Sequence, residues 1–109
     1  MQFHKVTLPP AASVDIGSEL QALAQLLGGL NSEQRQKIVN ALAEAMADAA
    51  RPQPDKDEVG KSLERALSYA GKAADFGEKM GKIAGHVQNA VGWLGENWHK
   101  LLPLVGLAL

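Results

Sequence analysis

The chain has 109 residues, 46% hydrophobic and 21% charged, which suits a single modest core and excludes wholesale disorder. Lys and Arg number 11 against 12 Asp and Glu, a formal charge of -1, so there is no basic excess to hold a phosphate backbone and nucleic acid is not an expected partner. Cysteine is absent, which removes disulfides, thiolate metal sites and thiol catalysis together.

The chain opens without the apolar stretch and small-residue cleavage site of a signal peptide. No apolar run reaches the roughly 18 residues of a transmembrane helix. The expected location is therefore cytoplasmic, at most peripheral at a membrane. Ala and Leu far outnumber Val, Ile and Thr, which predicts an all-α fold.

Residues 1–14 read as a leader. Its segment Gln2 to Leu8 is strand-like and stops at Pro9-Pro10, so it either docks as a leader or forms an edge strand. A helical hairpin is predicted over residues 15–50. Asp15 or Ser18 caps its first helix, whose apolar positions Ile16, Leu20, Leu23, Ala24, Leu27 and Leu30 keep a 3-4 spacing. Gly28-Gly29 ends that helix. Asn31, three residues before Gln34, has the spacing of a capping box for the second. The second helix runs to about Ala50 and buries Ile38, Val39, Leu42, Ala45, Met46 and Ala49. The short connection makes the pair an antiparallel hairpin.

Residues 51–57 form a joint in which Pro52 and Pro54 deny helical hydrogen bonds. From residue 58 to 109 the reading is one long amphipathic helix and then an apolar tail. Val59, Leu63, Ala66, Ala70, Ala73, Gly77, Met80, Ala84, Val87, Val91 and Leu94 keep alternating steps of four and three, and Trp98 and Leu101 continue them. Such a 3.5-residue seam belongs to coiled-coil-like packing. Asp57–Lys61, Asp75–Lys79 and Glu78–Lys82 stand at i,i+4 in the favourable order, as on a solvated face. Tyr69, Phe76, Ile83 and Ala90 add a second stripe, so the apolar face needs more than one partner helix.

Ala73, Gly77, Gly81 and Gly85 form a small-xxx-small row through the seam, the spacing at which helices cross closely. Each interior glycine costs a helix about 1 kcal/mol relative to alanine, which packing must offset. Asp57 to Trp98 would span about 63 Å as one straight helix, too long for the hairpin to cover. Either the helix folds back between Gly85 and Gly95, or another chain covers the rest.

The tail carries only Glu96 and Lys100 as charged residues from Ile83 to Leu109. Docking on the core is the plain reading of such a tail. The alternative is membrane insertion, with Trp93 and Trp98 as interfacial anchors ahead of Leu101, Leu102, Leu104 and Leu107.

Trp93-Leu94-Gly95 spells the tripeptide of the small secreted helical-hairpin proteins. There it occupies the central turn, however, and Tyr69 lacks an acidic residue four positions later, so that match is set aside. From Leu63 to Leu109 the chain resembles the Ala/Gly-rich amphipathic tails of bacterial defence and conflict-system proteins. That resemblance implies an effector, adaptor or assembly role and designates no catalytic residue.

Catalytic chemistry finds no candidates. His4, His86 and His99 lack the paired spacing of a metal site, and neither a nucleophile elbow nor a phosphate-binding loop occurs. No cofactor and no metal are expected. The functional expectation is a non-enzymatic interaction or oligomerisation module. Its partner is another protein or a second copy of the chain, met through Val59, Leu63, Ala66, Ala70, Ala73, Phe76, Gly77, Met80, Gly81, Ala84, Gly85, Val87, Val91 and Leu94.

Overall fold

The computed structural model describes residues 4–109, and among them the fold is all-α apart from one pair of two-residue strands. Helix α1 (Ile16–Gly28) starts where Asp15, in extended conformation, accepts the Ser18 backbone N–H on Oδ1 at 3.2 Å. Leu20, Leu23, Leu27 and the adjoining Leu30 are fully buried, so the 3-4 spacing is the core face. Helix α2 (Arg35–Ala49) packs along α1 and buries Ile38, Ala41, Leu42 and Ala45. Val39, expected inside, is 40% exposed at the edge of the hairpin, and Ala41 takes the inward place.

The capping box expected at Asn31 and Gln34 does not form. Ser32 Oγ accepts the Gln34 N–H instead, and the Asn31 N–H is drawn away to Asp75 Oδ1 at 2.9 Å. Beyond the proline joint, Asp55 caps α3 (Lys56–Ala70) by accepting the N–H groups of Asp57 and Glu58.

The single long helix expected from residue 58 is two helices. Helix α3 stops at Ala70, and α4 (Phe76–Leu94) begins after a tight turn in which Ala73 N–H bonds Ala70 O and Phe76 N–H bonds Ala73 O. Glycine at 71 weakens helical propagation there, and the Asp75 carboxylate is committed to the α1–α2 turn. The break shortens the molecule. The longest dimension of the molecule is 36 Å, little more than half the length of the unbroken helix.

The turn lets α3 lie along α2 while α4 lies along α1. The break anticipated between residues 85 and 95 is a second one and falls at Gly95, whose φ of 99° is open to glycine and strained for other residues. The expected i,i+4 charge pairs on this stretch do not form among the described residues. Asp57 accepts the Trp98 Nε1–H at 3.1 Å, and Lys61 approaches Glu58 instead.

After Gly95 a 3-10 segment (Glu96–Val105) folds back against α4 and buries Trp98, Leu101, Leu102 and Val105. Gly106, at φ 78°, turns the chain into strand β2 (Leu107–Ala108), which pairs in parallel with β1 (His4–Lys5). Val6 N–H extends the pairing to Ala108 O at 2.8 Å. The leader thus forms an edge strand, and Gln2 and Phe3 of the expected strand lie outside the described residues.

Candidate interaction surface

The fold divides the expected seam into two unlike sets. Val59, Leu63, Ala66, Ala70, Ala73, Phe76, Val87, Val91 and Leu94 are buried in the chain's own core. They are not available as an external seam, because α1, α2 and the 3-10 segment already cover them. Met80 and Ala84 pack partly buried against the same core. Gly77, Gly81 and Gly85 belong to the other set: all three are exposed, and among the described residues nothing lies within 4 Å of where a Cβ would stand on any of them.

Among the described residues their row is not a close-packing device. That role falls to two other glycines, which lie outside the predicted row. A Cβ at Gly60 would stand among the Trp98 ring atoms, 2.6 Å from Cζ2, so this glycine makes the space in which the indole lies flat on α3. At Gly92 a Cβ would meet Pro9 O at 2.5 Å and the proline ring at 2.9 Å, so here the leader crosses α4 backbone to backbone. In sequence, nothing separates these two from the exposed three. Only the partner elements, Trp98 and Pro9, reveal them.

The apolar tail is docked. Trp98, Leu101, Leu102 and Leu107 are buried, Trp93 is half-buried, and Leu104 is 40% exposed. Lys100 Nζ lies 4.7 Å from the Trp98 ring centroid and Lys56 Nζ 4.7 Å from that of Trp93, cation–π contacts that seat both indoles on the protein. Insertion of this segment into lipid would first have to strip its leucines from the core. Among the described residues no helix is long and apolar enough to cross a membrane.

Polar chemistry is concentrated in two places. At the α1–α4 contact, Glu19 accepts from Asn89 Nδ2 at 3.0 Å and meets His86 Nδ1 at 2.7 Å, so both carboxylate oxygens are engaged. The pairing holds α4 against α1 just past Gly85, where Asn89 stands one turn on from the glycine row. The second place is an open hollow of about 400 Å³ between the α1–α2 and α3–α4 turns, lined by Asn31, Ser32, Glu33, Gln34, Lys72 and Ala74. Gln34 Oε1 is buried there and has no hydrogen-bond partner among the described residues. Among the described residues no group of three or more His, Asp and Glu side chains is placed to hold a metal ion.

Comparison with known protein families, with curated proteins and with solved structures finds no match to this chain.

Proposed function

We propose that the protein is a non-enzymatic helical interaction module that self-associates through the exposed glycine row of α4. The observation that carries this reading is the open space over Gly77, Gly81 and Gly85. Each glycine inside a helix costs about 1 kcal/mol relative to alanine, so the three together cost about 3 kcal/mol. Among the described residues no close approach offsets that cost, in contrast to Gly60 and Gly92. A second helix laid on the row would offset it, because the missing Cβ atoms let backbones approach and gain dispersion contacts over a shallow groove. The narrower interface set is therefore Gly77, Gly81 and Gly85, and the rest of the expected seam serves the core.

Light scattering coupled to size exclusion, run over a concentration series, tests the reading. The expected result is a mass rising above the 11.6 kDa of one chain as concentration increases. Gly81→Leu should return the protein to a single chain while its far-UV circular dichroism stays that of the parent. A mass of one chain at every concentration would overturn the proposal.

A further inference from the structure

We infer that the leader from His4 to Pro10 is a strap that opens and closes over a body that stays folded, with Gly92 as its seat. The inference does not depend on self-association. Three observations carry it: how little the strap buries, how few bonds hold it, and how independently the body beneath it is secured.

No residue from Lys5 to Asp15 is buried, and Val6 and Leu8 are only partly covered where they pack on the core. A segment that buries so little apolar surface adds little to global stability, and such segments open without the rest of the fold.

The bonds are few and local. Strands β1 and β2 share two residue pairs, Val6 N–H reaches Ala108 O at 2.8 Å, and Gln88 Nε2 donates to Thr7 O at 2.9 Å. Pro9 and Pro10 have no N–H to add. Pro10 is extended, at φ -64° and ψ 144°, and its carbonyl accepts the Ser13 N–H at 3.0 Å and the Ser13 hydroxyl at 2.8 Å. The strap is therefore stiff and anchored at the Pro10 end, so it swings from there instead of fraying residue by residue.

Closure needs one feature of α4. At Gly92 the two backbones cross, and a Cβ there would stand 2.5 Å from Pro9 O. Backbone does not yield as the tip of a side chain does, so any larger residue at 92 holds the strap off the helix. The body has no such dependence. Trp98 lies on Gly60, Leu101 and Leu102 are buried, and Glu19 ties α1 to His86 and Asn89 of α4. These contacts remain when the strap opens, while Ala108 O and the α4 backbone at Gly92 are uncovered. The strap is thus a gate over a short strand edge, and covering such an edge keeps it from pairing with other chains.

Native-state hydrogen exchange over a series of sub-denaturing urea concentrations, read by mass spectrometry on the dilute protein, tests the inference. Residues 4–10 should exchange about 100-fold faster than α1, yet slower than an unstructured peptide, and with almost no dependence on urea, because opening the strap exposes little surface. Gly92→Ala should speed exchange in residues 4–10 about tenfold and leave the urea slope of α1 unchanged. Gln88→Ala, which removes one bond, should speed it about fivefold. Exchange of residues 4–10 at the rate and urea slope of α1 would make the leader part of the body and overturn the inference. So would exchange at the rate of an unstructured peptide in the parent protein, since no closed state would exist. Unchanged exchange in both variants would remove the seat at Gly92 and overturn it as well.

Discussion

Gly60→Ala isolates the one place where a single carbon decides between helix propensity and packing. On propensity alone the substitution gains about 1 kcal/mol, because α3 is helical on both sides of residue 60. The new Cβ, however, would stand 2.6 Å from Trp98 Cζ2, and Trp98 is only 5% exposed, so the indole has nowhere free to move. Overpacking of a well-filled core costs about 1–3 kcal/mol. Displacing the ring also stretches the Trp98 Nε1–H bond to Asp57 Oδ1, worth about 1 kcal/mol. The net expectation is a loss of about 1–3 kcal/mol, a large part of the roughly 5–15 kcal/mol that holds a domain folded. The sign should reverse when the ring is removed first. In a Trp98→Leu background the Cβ finds space, and Gly60→Ala should then stabilise by about 1 kcal/mol. Urea unfolding of the four proteins of this cycle, monitored by far-UV circular dichroism below the concentration of association, measures both effects. Gly60→Ala as stable as the parent, or a loss that persists in the Trp98→Leu background, would refute the account.

The glycines of α4 divide on the same physical basis. Gly77→Ala, with open space over it, should raise the stability of the isolated chain by about 1 kcal/mol. Gly92→Ala, facing Pro9 O at 2.5 Å, should lower it by about 1–3 kcal/mol, and matched urea titrations rank the two against the parent. A pH effect is expected at the start of α1. The Asp15 carboxyl lies below its ordinary value of 3.8, chiefly because the Ser18 backbone N–H bonds its charged form and the Ser18 hydroxyl adds a second bond. Its contribution is complete above 3.8 and is lost as pH falls through the lower folded value. Asp15→Asn keeps a capping oxygen that does not titrate, so it should make the acid limb of a pH–stability profile shallower and leave neutral pH nearly unchanged.

Much of the fold was legible because local signals and burial agree. Asp15 caps α1, the 3-4 spacing from Ile16 to Leu30 is the core face, and the prolines at 52 and 54 separate the hairpin from α3. The division of the second half was not legible, and the reason is physical. Ala73 and Phe76 remain buried through the turn between α3 and α4, so the 3.5-residue pattern runs unbroken across a chain that has stopped being helical. Hydrophobic periodicity records which residues face the core, and a tight turn on the core surface preserves that record. What ends α3 is the reach of the fold itself: Asp75 is taken by Asn31, and Trp98 must return to Gly60.

The glycines obey the same division between local and tertiary information. Glycine in a helix is a local cost, and its return is always a contact made elsewhere. At Gly60 and Gly92 the return is visible, as an indole face and a proline backbone pressed on the helix. At Gly77, Gly81 and Gly85 the cost is equal and the space is empty among the described residues. On the self-association proposed above, the contact that offsets these three residues is a second copy laid on the row, and without it the row is a net cost to the single chain.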